Sequence, residues 1–141
     1  DQPVVQQRLT DLFAQHEDFN LRALCSSAEE VLPRLQEIHC DLLILDLELP
    51  GMNGEELLPL VRDKYPELKI VVFTVFEDQA RIVRLLRHGV NGYLLKDTPD
   101  ELLIAELKVI LLGGAPLSPR VARKILDDVP DDINLKTNPL S

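Results

Sequence analysis

The most constraining feature of this chain is a short apolar run that ends in a carboxylate. Residues 42–45 read Leu-Leu-Ile-Leu, Asp46 follows directly, and a turn rich in proline and glycine begins at Pro50. A run of this length between turn residues predicts a strand that is buried on both faces, as in a parallel sheet covered by helices. Ligands and chemistry gather at the carboxyl ends of such strands, so Asp46 is a candidate nucleophile or ligand for a hard metal ion.

Similar patterns along the chain predict an alternation of helix and strand. The predicted strands are 20–25, 42–45, 70–73 and 92–95. The predicted helices begin near residue 3 and then cover 27–37, 54–64, 78–89 and 99–112, with a short one over 118–126. Strict alternation is typical of the α/β class, with a parallel sheet and helices on both of its faces. Because the chain opens with a helix, we expect that a leading strand is missing from it.

Composition limits the classes of protein to which the chain can belong. With 141 residues, of which 45% are hydrophobic, we expect one domain over 1–114 and a short helix with an acidic linker over 115–141. The net charge of −9 argues against binding of nucleic acid or an anionic membrane by this chain alone. Cys25 and Cys40 have no metal-ligand spacing, which favours reduced residues of a cytoplasmic protein. The sequence contains no apolar run that approaches a membrane span of about 20 residues.

Three predicted strands each end in a residue that can take part in chemistry, namely Asp46, Thr74 and Lys96. Each has an ordinary alternative reading as a turn former, a helix cap or a solvated charge. The carboxyl ends of parallel strands lie along one rim, so the three side chains are expected to converge. A nucleophilic or metal-binding carboxylate, a hydroxyl donor and a cation suit the handling of a phosphoryl group. Mg²⁺ would require a further carboxylate, for which Asp1 is the candidate.

These segments together resemble the receiver domain of two-component response regulators. Asp46, with Pro50 and Gly54 after it, has the spacing of the family's acceptor aspartate and the turn that follows. Residues 71–74 and 92–96 resemble the two strands that carry the switch threonine and the switch aromatic residue with its lysine. The resemblance covers residues 1 to about 113, and its motifs are specific in combination.

The region after residue 92 is similar to regulators of the LuxR/NarL type. The resemblance implies a flavodoxin-like, doubly wound sheet with strand order 2-1-3-4-5, in which the central first strand is missing here. We therefore expect an upstream apolar strand with one more acidic residue in the native protein. In that family a DNA-binding helix-turn-helix domain commonly begins near a Leu-Ser pair such as Leu140-Ser141. DNA would then be bound only through a C-terminal domain that this chain does not include.

The resemblance also implies a role for each site residue. A sensor histidine kinase would transfer a phosphoryl group to Asp46, and Mg²⁺ would be held by Asp46, Asp1 and the backbone carbonyl of Glu48. The protein would not be an enzyme beyond slow autodephosphorylation.

The switch residues follow from the same resemblance. Thr74 and Lys96 would bind the phosphoryl oxygens, and Tyr93 would change rotamer when Thr74 moves. Asp97 stands where the family usually has a proline, a departure common in the LuxR/NarL-type group.

Two alternative functions remain at this point. A pseudo-receiver, which acts by protein contact without phosphorylation, would account for the acidic residue that is missing beside Asp1. A phosphohydrolase of the haloacid-dehalogenase type also forms an aspartyl phosphate, but it requires a second Asp where this chain has Glu48.

Two helices are candidate partner surfaces. Arg81, Arg84, Arg87 and His88 give one helix a basic side that is either solvated or binds a partner. The helix from Pro99 to Leu112 is apolar nearly all round, which favours a homodimer interface that includes the first helix. The alternative is that the tail helix near Val121 covers the apolar surface.

Overall fold

The computed structural model describes residues 2–48, 54–114 and 121–123. Its five longer helices are α1 (Gln2–Ala14), α2 (Val31–Glu37), α3 (Gly54–Lys64), α4 (Gln79–Arg87) and α5 (Asp100–Leu111). A 3-10 turn, Ala28–Glu30, precedes α2. Its strands are β1 (Leu42–Asp46), β2 (Lys69–Thr74) and β3 (Gly92–Leu95). The three solid apolar runs of the sequence are therefore strands, as predicted.

The three strands form a parallel sheet in the order β1-β2-β3. In its register Asp46 lies opposite Phe73, and Thr74 lies opposite Leu95. All three strands therefore end at the same rim, as the alternation of helix and strand predicted. This is a flavodoxin-like α/β fold.

The sheet has a hydrophobic core on each face because successive side chains of a strand point to opposite sides. On one face Val72 and Tyr93 pack with buried residues of α2, α3 and α4. On the other face Phe73 and Leu94 pack with buried residues of α1 and α5. Burial on both faces is the reason that β2 and β3 are apolar at nearly every position.

The strand predicted over 20–25 is wrong. These residues form no strand, and the exposed fractions of Leu21 and Leu24 are 37% and 39%. A cavity of about 360 Å³ separates this segment from β1. A strand needs the backbone of a neighbouring strand for its hydrogen bonds, and among the described residues none lies beside this segment.

One side chain of α3 stabilises the amino-terminal rim of the sheet, where β2 and β3 begin. Arg62 donates hydrogen bonds to the carbonyls of Leu68 and Gly89, both at 2.7 Å, and to the Asn91 side chain at 2.9 Å. Asn91 also accepts a hydrogen bond from the N–H of Ile70 at 2.8 Å. These contacts hold together the segments that lead into β2 and β3, and hence the relative positions of the two strands.

Several sequence predictions concern residues outside the described ranges. Pro50, Asp1 and the Leu140-Ser141 pair are among them, as are most of the predicted tail helix and the whole linker. Residues 121–123 are helical, and Val121 is buried against the α2–α4 side of the core. Within the described ranges no helix is long and apolar enough to cross a membrane.

Candidate functional site

The carboxyl rim of the sheet brings the predicted site residues together. Asp46 is the last residue of β1 and Thr74 is the last residue of β2. Lys96 follows β3, and its backbone N–H donates to the carbonyl of Thr74 at 2.8 Å. This hydrogen bond continues the β2–β3 pairing past Leu95 and places the lysine side chain at the rim.

Asp46 and Lys96 form a largely buried ion pair. The Lys96 Nζ to Asp46 Oδ1 distance is 2.8 Å, and the exposed fractions of the two side chains are 13% and 12%. The same carboxylate oxygen accepts the backbone N–H of Glu48 at 2.8 Å. Burial lowers the pKa of Lys96, but its hydrogen bonds to Asp46 and Glu48 outweigh that effect and leave its pKa above the ordinary value. The lysine is therefore a cation at neutral pH beside the carboxylate of Asp46.

Glu48 links the remaining members of the site. Its Oε1 lies 2.6 Å from Lys96 Nζ, and its Oε2 accepts the hydroxyl proton of Thr74 at 2.7 Å. In this arrangement Thr74 therefore donates its hydroxyl proton to Glu48 and not to Asp46. The resemblance assigned Glu48 only a backbone role, whereas the structure brings its side chain into the site. Its position two residues after Asp46, in a turn at the rim, is the one sequence signal that could have indicated this.

Tyr93 is fully buried and is connected to Thr74 through Phe76. The tyrosine hydroxyl donates to the Phe76 carbonyl at 2.8 Å, while the Phe76 N–H donates to Thr74 Oγ1 at 3.2 Å. The pKa of Tyr93 is raised far above its ordinary value, mainly by burial and next by the negative charge of Asp78. A movement of Thr74 would therefore change the hydrogen bond to Phe76, the residue whose carbonyl binds Tyr93.

Arg8 of α1 is a further residue of the site region that the sequence did not reveal. Its guanidinium donates to the carbonyl of Lys96 at 2.6 Å, to the carbonyl of Thr98 at 2.5 Å and to Asp100 at 2.9 Å. These contacts fasten α1 to the loop between β3 and α5 and fix the peptide that carries the lysine. No sequence signal distinguishes Arg8 from any other cation on an amphipathic helix.

The donor set available to a divalent cation is only partly described. Asp1 lies outside the described ranges, and the described residues contain no cluster of three or more potential metal ligands. Asp46 and Glu48 nevertheless place two carboxylates against one Lys96 nitrogen, at 2.8 and 2.6 Å. Carboxylate and carbonyl oxygens are the donors that Mg²⁺ prefers, and Mg²⁺ usually keeps several waters. The described residues therefore supply two carboxylates of the kind that Mg²⁺ prefers, both of which contact Lys96 in this arrangement.

The basic side of α4 is partly neutralised. Arg84 donates two hydrogen bonds to Glu55 of α3, at 2.6 and 3.1 Å, and Arg81 lies 3.3 Å from the same carboxylate. The hydrogen bond from Arg84 is the main cause that lowers the pKa of Glu55. The Arg81 guanidinium also stacks 4.0 Å from the Phe76 ring centre. Two of the four predicted basic residues therefore bind within the domain.

Comparison with known proteins places the chain in one family. The model of the response regulator receiver domain matches residues 1–108. The transcriptional regulatory protein LnrK of Bacillus subtilis (strain 168) is 28% identical over 136 residues, which cover 96% of this chain and 62% of LnrK. The oxygen regulatory protein NreC of Staphylococcus aureus (strain JH9) is 26% identical over 138 residues, which cover 97% of this chain and 64% of NreC. The chain thus spans less than two thirds of these relatives.

Solved structures agree with this result. A LuxR-family two-component response regulator from Aurantimonas sp. SI85-9A1 has a TM-score of 0.84 and 26% identity, with 91% of both chains covered. RcsB from Salmonella enterica serovar Typhimurium, solved on a promoter with phosphomimetic BeF₃⁻, has a TM-score of 0.82 and 22% identity. The alignment covers 95% of this chain and 70% of RcsB, and at that identity it supports the fold alone. The chain belongs to the response regulator receiver domain family, with relatives of the LuxR/NarL type.

Proposed function

We propose that the chain accepts a phosphoryl group on Asp46 from a sensor histidine kinase. The observation that supports this most is the ion pair of Asp46 and Lys96 at the carboxyl rim, with Thr74 joined to the same lysine through Glu48. A rigid strand end aims the carboxylate, and the neighbouring cation offsets the charge that arrives with the phosphoryl group.

The transfer requires little from the protein beyond position and charge. A carboxylate oxygen of Asp46 attacks phosphorus, and a P–O bond forms while the P–N bond of the kinase phosphohistidine breaks. The electron pair of the broken bond stays with the imidazole nitrogen, which takes up a proton. Lys96 stabilises the charge on one phosphoryl oxygen, and the hydroxyl of Thr74 donates a hydrogen bond to another.

Mg²⁺ would be held by the carboxylate of Asp46 and the backbone carbonyl of Glu48, with Asp1 as the further acidic ligand that we propose. When bound, the ion supplies positive charge that offsets the repulsion between two anions. The donor chemistry at the rim supports this assignment.

The output that we propose is control of DNA binding by an attached C-terminal domain in the cytoplasm. Movement of Thr74 toward a phosphoryl oxygen would pull on the N–H of Phe76, whose carbonyl binds the Tyr93 hydroxyl. Tyr93 would then change rotamer and alter the surface near α4. The acidic chain would act on DNA only through its partner domain, which agrees with the net charge of −9.

A mass measurement tests the proposal. The protein is incubated with acetyl phosphate and Mg²⁺, and we expect an intact-mass increase equal to one phosphoryl group. Asp46→Asn should remove the adduct because an amide is not a nucleophile for phosphorus. Asp41→Asn is the matched control, since Asp41 is an exposed carboxylate immediately before the same strand.

The alternative functions give different results in that experiment. Absence of an adduct on the wild-type protein would contradict the proposal and favour a pseudo-receiver. Rapid multiple turnover of acetyl phosphate would instead indicate a phosphohydrolase, whereas we expect at most slow loss of the adduct.

A further inference from the structure

The carboxylate of Glu48 occupies both of the groups that the proposed function assigns to the phosphoryl oxygens. Its two oxygens contact Lys96 Nζ at 2.6 Å and Thr74 Oγ1 at 2.7 Å. A carboxylate resembles part of a phosphoryl group, because both present oxygens with negative charge to donors. The site therefore contains an anion supplied by the chain itself.

The contact with Thr74 is exclusive. A threonine hydroxyl has one proton to donate. That proton is given to Glu48, and the oxygen already accepts the N–H of Phe76 at 3.2 Å. Thr74 can donate to a phosphoryl oxygen only after the glutamate has left. Lys96 is less restricted, because its ammonium has three protons and can keep Asp46 while it exchanges Glu48 for another anion.

The negative charges of Asp46 and Glu48 also oppose the approach of a phosphoryl donor. Asp46 and Glu48 together bring two negative charges to one lysine, at 2.8 and 2.6 Å. An incoming phosphoryl donor is itself an anion, so the second carboxylate adds repulsion at the moment of approach. The exposed fraction of the Glu48 side chain is 29%, so the side chain has access to solvent and can be displaced at moderate cost.

We propose that Glu48 is an internal competitor of the phosphoryl group. It holds Thr74 and Lys96 in the unphosphorylated arrangement and slows the acceptance of a phosphoryl group by Asp46. Its release frees the Thr74 hydroxyl, so displacement of Glu48 is the first step of the switch that runs through Phe76 to Tyr93. This inference rests on the proposed function of Asp46.

The rate of adduct formation tests this role. Wild-type protein, Glu48→Ala and Glu48→Gln are incubated with acetyl phosphate and Mg²⁺, and the adduct is followed by intact mass. We expect Glu48→Ala to form the adduct roughly threefold to tenfold faster, with Glu48→Gln between it and the wild type. Glu56→Ala is the control, because Glu56 is an exposed acid in the first turn of α3, and its rate should equal that of the wild type.

The same measurement in Thr74→Ala protein separates competition for the Thr74 hydroxyl from a general effect of the Glu48 charge. If Glu48 acts by taking the proton of Thr74, its removal should accelerate the reaction much less in Thr74→Ala protein. An equal acceleration in both backgrounds would overturn the proposed competition. Thermal unfolding of each variant confirms that it is folded. If Glu48→Ala does not fold, Glu48→Gln, which keeps the side-chain length, replaces it in the comparison.

The outcomes also distinguish this inference from the proposed function. An adduct on wild-type protein at a rate that Glu48→Ala leaves unchanged would overturn only the competition. A slower reaction, together with weaker dependence on Mg²⁺ concentration, would show that the Glu48 side chain helps to bind the cation instead. Absence of an adduct on both proteins would contradict the acceptor role of Asp46 itself.

Discussion

At the scale of single residues, Phe76 carries the connection between the rim and the core through both of its peptide groups. Its N–H is bound to Thr74 and its carbonyl to the hydroxyl of Tyr93. The sequence predicted Thr74 and Tyr93 as switch residues from their resemblance to a family. It could not reveal Phe76, because the link uses backbone groups, which every residue possesses.

Tyr93→Phe tests the strength of this buried contact through its pH dependence. The pKa of Tyr93 is raised above the ordinary value of 10.0, so folding favours the neutral phenol. The stability that this phenol contributes is complete below pH 10 and is lost as the pH rises above it, by up to about 1.4 kcal/mol per pH unit. At pH 7 we expect the variant to be about 1 kcal/mol less stable, owing to the lost hydrogen bond.

The measurement is urea unfolding of both proteins between pH 7 and pH 11. Groups that both proteins share contribute equally to the two curves, so the difference in unfolding free energy isolates the phenol. That difference should narrow above pH 10. A difference that stays constant over the whole range would contradict the role assigned to burial.

At the scale of secondary structure, the sequence predicted the three apolar strands and the five longer helices with small errors at their ends. Burial on both faces requires solid apolar runs, and this requirement acts on neighbouring residues. Helix α5 shows what such a pattern leaves undecided. Its buried side faces α1 and the sheet, while an apolar stripe of Leu102 and Val109 remains 43% and 45% exposed, and Leu112, just after the helix, is 88% exposed.

The described part of the tail does not cover the stripe on α5, so this part of the structure leaves the stripe available for the predicted homodimer. Val121, in the described part of the tail, is buried on the opposite face of the sheet. A second copy could bury Leu102 and Val109, which lie on one side of the helix. We expect sedimentation velocity to detect a dimer, with or without a phosphoryl mimic such as beryllofluoride.

Charge substitutions on the stripe should weaken that dimer. Val109→Glu or Leu102→Glu would place like charges at the interface and raise the dimer dissociation constant by about tenfold or more. Leu60→Glu is the control, because Leu60 is 47% exposed on α3, a helix on the other face of the sheet. A protein that stays monomeric in every condition, or a dimer indifferent to both substitutions, would exclude α5 as the interface.

At the scale of the whole molecule, the outer edge of β1 is open among the described residues. β1 pairs with β2 on one edge, and a cavity of about 360 Å³ lies along its other edge, between α1 and residues 19–25. The expectation that a further strand belongs beside β1 stays a prediction, and the position of this cavity agrees with it. The same gap accounts for the failure of residues 20–25 to form a strand.

Hydrogen exchange measures the open edge directly. The N–H of Lys69 binds the carbonyl of Asp41, and in parallel pairing this register directs the N–H groups of Leu43 and Leu45 toward β2. Those of Leu42 and Ile44 point toward the cavity. We expect the latter two to exchange about tenfold faster or more in an NMR exchange experiment. Equal protection of all four amides would show that this edge is paired in solution.

The sequence by itself determined the three apolar strands of the sheet, the helices on its faces and the polar residues at its carboxyl rim. These follow from short-range patterns, since a strand buried on both faces must be apolar and its polar end must lie at a rim. Only the tertiary structure decided that Glu48 binds Thr74, 26 positions away, and that Arg8 binds the carbonyl of Lys96, 88 positions away. It also decided that residues 20–25 form no strand. Each of these outcomes depends on which groups folding brings together in space, and no local pattern of residue types specifies that.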